Sequence, residues 1–204
     1  MKTLIFLTYL IITFNCKLTR HSDDVLKRKK IFIEAHRCLS NGQKNHNTKE
    51  SIIDAINNGV EAIETDVWLT SDNHTVLFHD LDRKIYKCKN YFLNILHDGF
   101  NKICDLSFEQ LQECETIEGK NKIPLLEDIM KITKGKIFMN LEIKDTRIQI
   151  WDHIQELIEK YEYYDQISIS SFNHEFFQKI ENIIKNIIGE LFSVFYIWIF
   201  FLIE

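Results

Sequence analysis

Ile31-Phe32-Ile33-Glu34-Ala35-His36-Arg37 is an extended run closed by two basic residues, and Glu61-Ala62-Ile63-Glu64-Thr65-Asp66-Val67-Trp68-Leu69 is a second extended run. Between them Ile52, Ile53, Ala55 and Ile56 recur at helical spacing, with Thr48 placed to cap the helix and Gly59 to stop it. Strand, helix, strand is the order of a parallel sheet, whose neighbours need a crossover between them. The rhythm continues outward. Thr75-Val76-Leu77-Phe78 is a third extended run, ending at His79-Asp80. Pro124 opens a short helix from Leu125 to Thr133, which Gly135 ends. A fourth strand spans Ile137 to Lys144, followed by a helix with Trp151, Ile154, Ile158 and Tyr161 on one face. A fifth strand spans Gln166 to Phe172, and Phe176, Phe177, Ile180, Ile183, Ile184 and Ile187 line the next helix. The last apolar run, Leu191 to Ile203, is short for a bilayer span and reads as a buried strand or helix. This predicts six strands, all joined by crossovers with no hairpins. The α/β architecture that fits is a (β/α) barrel of the TIM type, with a doubly wound open sheet as runner-up.

At 204 residues, with 45% hydrophobic and 27% charged residues, the chain suits one domain with one sizeable core. Six glycines and one proline exclude fibrous and linker-rich classes, and a net charge of −5 argues against a general nucleic-acid binder. Residues 1–20 open with Lys2 and the apolar run Leu4 to Phe14, the layout of a secretory signal or an N-terminal anchor. This places the chain in the secretory pathway, secreted or membrane-anchored. The basic stretch from Lys17 to Lys30 reads as a solvated lead-in, with contact to anionic head groups at a membrane surface as the alternative. Of five cysteines, Cys16 lies at the signal junction. Cys38, Cys88, Cys104 and Cys114 then permit disulfides, Cys88 to Cys104 or Cys114 being the most local, or stay as free thiols. The domain proper is 31–204, interrupted by an excursion over 81–123 that contains a capping box at Ser107 to Gln110.

Residues of catalytic type collect at the carboxyl ends of the strands. The first delivers His36 and Arg37. The second carries Glu64 and Asp66, two apart and therefore on one face, and the third ends in His79. The fourth carries Glu142 and Lys144, again two apart. Three carboxylates, two histidines and two cations at the rim where parallel barrels place their sites suggest a hard divalent metal handling a phosphate. Three carboxylates and a phosphodiester balance one divalent ion, Arg37 and Lys144. The two neutral histidines are then left for acid and base work.

In this order the residues resemble the glycerophosphodiester phosphodiesterases. His36-Arg37-Cys38 is similar to the family's His-Arg-Gly, and Glu64-Thr65-Asp66-Val67-Trp68-Leu69-Thr70-Ser71-Asp72 to its Glu-x-Asp strand and Leu-Thr-x-Asp turn. His79-Asp80, Leu81-Asp82-Arg83, the segment Ile123 to Asp128, Asn140-Leu141-Glu142-Ile143-Lys144 and Ser171-Phe172-Asn173 resemble later motifs of the set. The resemblance implies a TIM-type barrel of the phospholipase C-like phosphodiesterase kind, with 81–123 as an insertion over the site. It implies metal-dependent hydrolysis of glycerophosphodiesters to sn-glycerol 3-phosphate and an alcohol, in glycerophospholipid metabolism. It also implies roles. Glu64, Asp66 and Glu142 would hold one Ca²⁺ or Mg²⁺, His36 and His79 would form the acid–base pair, and Arg37 and Lys144 would bind phosphate. An inactive remnant that binds metal or phospholipid, and a lysophospholipase D-like enzyme acting on lysophospholipids, are the alternatives.

Three departures from the family pattern carry expectations of their own. Cys38 stands where the family has glycine, at a position that needs backbone freedom or close approach. The family's Pro-Glu-Asn-Thr appears as Asn45-His46-Asn47-Thr48, which retains the amide and the hydroxyl but not the acid. A full barrel has eight strands in ~250 residues, so about six are expected here, with two sheet edges and an apolar interior left open.

Overall fold

The structure, a computed structural model, describes residues 33–39, 45–79, 86–89 and 103–180. The expected signal or anchor, the basic stretch, the Leu81-Asp82-Arg83 motif and the apolar run from Leu191 lie outside the described residues, as does much of 81–123.

Strand β1 (Glu34–Ala35) leads into a single turn, His36–Cys38, and helix α1 (Lys49–Asn57) then crosses over to β2 (Ala62–Leu69). Thr48 caps α1 as its position predicts: its hydroxyl accepts from the Ser51 N–H while the Ser51 hydroxyl accepts from the Thr48 N–H. Gly59 takes the chain out of α1 at φ +72°, a conformation that costs a side-chain-bearing residue about 1 kcal/mol. Helix α2 (Phe108–Gln112), capped by Ser107 as expected, precedes α3 (Leu126–Thr133), β6 (Phe138–Ile143), α4 (Gln149–Lys160) and β7 (Ile167–Ser170). Residues 174–180 are again helical. Leu125 rather than Pro124 is the N-cap of α3, so the proline sits just before the helix.

The parallel sheet runs β1-β2-β6-β7. Residue alternation divides its two faces. Ile63, Val67, Leu69, Met139, Leu141, Ile143 and Ile167 point into the core that α1, α3 and α4 cover. In α4, Trp151, Ile154, Ile158 and Tyr161 meet this core, as their spacing predicts. Glu127 of α3 accepts from Lys160 Nζ at 2.7 Å and Tyr161 Oη at 2.6 Å, which ties α3 to the end of α4 and holds its carboxyl down at about 2.

The topology corrects two expectations and fills in two others. First, β3 (Thr75–Leu77) is not reached by a crossover. It pairs antiparallel with β2, Val67 opposite Leu77 and Leu69 opposite Thr75. The link between them is too short to cross a sheet. It is a turn closed by Thr70 N–H to the His74 carbonyl at 2.9 Å, with Asn73 left-handed at φ 61°.

Second, the described residues hold four parallel strands in an open sheet, as expected of an incomplete barrel; the sixth expected strand, Leu191 to Ile203, lies outside them. Third, the face turned away from the helices is not apolar. Register sets Glu64 beside Asn140, Asp66 beside Glu142, and Asn140 and Glu142 beside Ser168 and Ser170. Alternation alone explains this: where odd positions are core, Glu64 and Asp66 must face the interior.

Fourth, the excursion adds a two-stranded ribbon, β4 (Tyr86–Cys88) with β5 (Cys114–Thr116), pinned by a Cys88–Cys114 disulfide. Of the two local pairings, this is the one formed; Cys38 and Cys104 are free thiols. A bridge closing a loop of this size stabilises by about 3 kcal/mol. The ribbon packs its own small core, Phe78, Ile103, Leu106, Leu111 and Ile123, against the β2–β3 hairpin.

Candidate active site

Backbone pairing assembles the acidic centre. Asp66 and Glu142 are direct register partners on β2 and β6, and Glu64 precedes Asp66 by one pleat on the same face. One ligand oxygen from each of the three carboxylates lies within 4.8 Å of the others. All three side chains are nearly buried.

The four basic and imidazole groups arrive from three directions. Lys144, just past β6, places Nζ 3.2 Å from Asp66 Oδ1 and bonds the Glu142 carboxylate. Arg37 comes from the turn after β1; its Nε is 3.9 Å from Asp66 Oδ2, and its backbone N–H donates to Glu64 Oε2 at 2.8 Å. His36 Nε2 lies 3.8 Å from Glu64 Oε2, with its side chain 74% exposed. Partial burial, then the Arg37 charge, lowers the His36 pKa, so the ring favours its neutral form.

His79 reaches the centre because β3 turns back. Phe78 N–H bonds the Asp66 carbonyl at 2.9 Å, which sets the next residue beside the acids rather than at a far strand end. Arg37 Nη2 then donates to His79 Nε2 at 2.7 Å. A guanidinium can only donate, so Nε2 carries the lone pair and the ring proton sits on Nδ1. All seven predicted site residues therefore meet around one centre. The corrected route is that of His79, which comes by a hairpin.

Two features went beyond the expected set. Asn47 donates from Nδ2 to Asp66 Oδ2 at 2.8 Å; its only sequence signal was a retained motif position before a helix cap. Phe172, 64% exposed, holds its ring 5.4 Å from Lys144 Nζ at the rim; its only sequence signal was its place in the Ser171-Phe172-Asn173 motif. The expectation for Cys38 is met in geometry: Arg37 and Cys38 both adopt positive φ, 51° and 62°. The Cys38 side chain is accommodated by complete burial, with Sγ 3.5 Å from the Glu64 carbonyl. Burial drives its thiol far up, away from reactivity.

The acids fit a divalent cation on the structure's own evidence. Glu64 Oε1 is buried and meets no hydrogen-bond donor among the described residues. Burial, reinforced by Asp66, Glu142 and Glu34, raises its pKa to about 7. A buried carboxylate oxygen without a partner, among like charges, is costly unless a cation joins it. An all-oxygen set selects a hard ion.

Comparison with known proteins agrees with this geometry. The model of the glycerophosphoryl diester phosphodiesterase family matches residues 36–195. A glycerophosphodiester phosphodiesterase of Bacillus altitudinis is 31% identical over 156 residues, 71% of this chain and 58% of that protein. The crystal structure of a putative glycerophosphodiester phosphodiesterase from Galdieria sulphuraria superposes with a TM-score of 0.59 at 27% identity, covering 76% of this chain and 63% of that one. An Oleispira antarctica phosphodiesterase, solved in complex with the product sn-glycerol-3-phosphate, has the same fold, with a TM-score of 0.59 at 24% identity over 74% of this chain and 61% of that one. The chain spans about three-fifths of the length of these relatives.

A pH dependence follows from Glu64. Its folded pKa lies above the usual 4.5, so the stability tied to its protonated form is complete below pH 4.5 and lost as pH rises through about 7. Without divalent ions, Glu64→Gln should gain about 3 kcal/mol on wild type across that window. Urea midpoints measured from pH 4.5 to 7.5 in chelator check this; parallel curves for the two proteins would contradict it.

Proposed function

The chain belongs to the glycerophosphoryl diester phosphodiesterase family, and we propose that it hydrolyses glycerophosphodiesters to sn-glycerol 3-phosphate and an alcohol with the help of one divalent cation, Ca²⁺ or Mg²⁺. The observation that carries this reading is the convergence of Glu64, Asp66 and Glu142, flanked by His36 and His79, on one sheet face. These three carboxylates would hold the ion. When bound, it supplies Lewis-acid polarisation of phosphate oxygens.

The chain's own groups do the rest. Arg37 and Lys144 bring two positive charges to the centre, where they attract a phosphodiester anion and hold it beside the imidazoles. In the reaction a bond forms from phosphorus to the attacking oxygen, and the bond from phosphorus to the leaving alcohol breaks. One histidine takes the proton of the attacking group, and the other gives a proton to the alcohol oxygen. His79 stands at the centre with Nε2 accepting from Arg37 Nη2, so a phosphate that draws Arg37 to itself would release that lone pair, and His36, exposed at the rim, is reachable by a bound substrate.

We read 31–204 as the catalytic domain with its insertion at 81–123, and residues 1–20 as a secretory signal or anchor. The Cys88–Cys114 bridge supports an oxidising compartment. No helix among the described residues is long and apolar enough to cross a membrane. Expression in secreting cells checks this: export with the bridge intact is expected, and retention in the cytosol with four free thiols in 31–204 would contradict it.

Turnover is tested by release of glycerol 3-phosphate from glycerophosphocholine by the full chain with Ca²⁺ or Mg²⁺ added. Release is expected, and His79→Ala should lower it about 100-fold or more while leaving metal binding intact. Metal binding without release would favour an inactive binding remnant. Faster cleavage of lysophosphatidylcholine would favour the lysophospholipase D-like reading. Unchanged turnover in the His79 variant would end the acid–base assignment.

A further inference from the structure

Asn47 is fully buried, and each end of its side-chain amide is committed. Its Oδ1 accepts from Thr65 Oγ1 at 2.7 Å and from the Asp66 N–H at 3.4 Å. Its Nδ2 donates to Asp66 Oδ2 at 2.8 Å. Chemistry fixes the orientation. The backbone N–H can only donate, so Oδ1 must face β2 and the amide nitrogen must face the carboxylate. The backbone of Asn47 is committed as well: its N–H donates to the Arg37 carbonyl at 3.1 Å, and φ is 53°. Asparagine is among the few residues that adopt this left-handed conformation readily.

We infer that Asn47 is a positioning residue for the cation site: its Nδ2 holds Asp66 Oδ2, which fixes the carboxylate plane and turns Oδ1 to the side where Lys144 Nζ and the Glu142 carboxylate stand. Without the amide, Asp66 loses its shortest tether and keeps only the ion pairs to Lys144 and Arg37, so its carboxylate samples more orientations and the entropy of fixing it is lost from the binding free energy. The same residue joins the turn that carries Arg37 to the strand that carries Glu64 and Asp66. The phosphate-facing cation and the metal-facing anions are thus tied to one buried residue, the first through its backbone N–H and the second through its side-chain amide. The inference rests on the reading of Glu64, Asp66 and Glu142 as ligands, and on hydrogen bonds independent of substrate.

Partners that orient metal ligands change affinity about 10- to 100-fold when removed. Mn²⁺ alone serves as the probe, titrated into the full chain, with free ion followed by electron paramagnetic resonance. Asn47→Ala should weaken binding by that factor at a temperature where circular dichroism shows it fully folded. Thr65→Val keeps Asn47 but removes the hydroxyl that anchors its oxygen, and should weaken binding by less. The double variant should bind no worse than Asn47→Ala alone, because Thr65 acts only through the amide. A merely structural role predicts additive losses instead.

If Asn47→Ala fails to fold, the Thr65→Val variant carries the test: unchanged Mn²⁺ affinity in it would overturn the inference. Affinity of folded Asn47→Ala within 2-fold of wild type, or additive losses, would overturn it while leaving the carboxylate site standing. Absence of Mn²⁺ binding by the wild type would overturn both.

Discussion

Three carboxylates held within 4.8 Å of one another on a nearly buried sheet face are the constraint on which the rest of this structure depends. Like charges at that distance repel, and burial strengthens the repulsion, so no stability argument accounts for placing them there. Their positions are nonetheless rigid. Asp66 and Glu142 are register partners in the pairing of two strands at the centre of the sheet, and Glu64 follows from the pleat. The fold holds an electrostatically unfavourable group of acids in place. Lys144, Arg37 and the Asn47 amide surround it with donors, yet Glu64 Oε1 is left without one. Strain of this kind, built into a rigid scaffold, marks a binding site.

The β2–β3 hairpin shows how topology serves that centre. A crossover would have carried His79 to the rim of a separate strand. The return along β2 instead sets it against the Arg37 guanidinium. The insertion then packs its apolar residues on the outside of the same hairpin, with the Ser71 N–H bonded to the Leu106 carbonyl and the Phe108 N–H to Asp72 Oδ1. The 103–108 segment of the insertion thus braces the arm that delivers an imidazole.

Much of this was legible in the residues. Period-two alternation identified which side chains of 61–69 and 137–144 face inward, and that alone brought Glu64, Asp66, Glu142 and Lys144 together. The helix caps at Thr48 and Ser107 were readable because side-chain hydroxyls compete locally for backbone donors. The hairpin was missed because an extended run looks the same in either direction. Only the Ser71-Asp72-Asn73 turn distinguished them, and Asn73 at positive φ was its physical signal. The polar interior follows from the same alternation: with odd positions in the core, Glu64, Asp66, Asn140 and Glu142 line the other face. The part played by Asn47 could not be read from spacing, since it depends on a left-handed loop meeting a strand 18 positions away in the chain. Cys38 is the reverse case: the need for an unusual backbone was visible, but not that burial would accommodate its side chain.

The central claim is that this acidic centre is a cation site, and the most direct measurement is equilibrium dialysis of the full chain against Ca²⁺ or Mg²⁺ combined with thermal unfolding. The account predicts one ion bound per chain and an unfolding temperature that climbs with the logarithm of ion concentration, since an ion bound only by the folded state stabilises it by mass action. It also predicts that Glu64→Gln abolishes both effects. Saturating ion that leaves the unfolding temperature of the wild type unmoved, with none retained on dialysis, would contradict it.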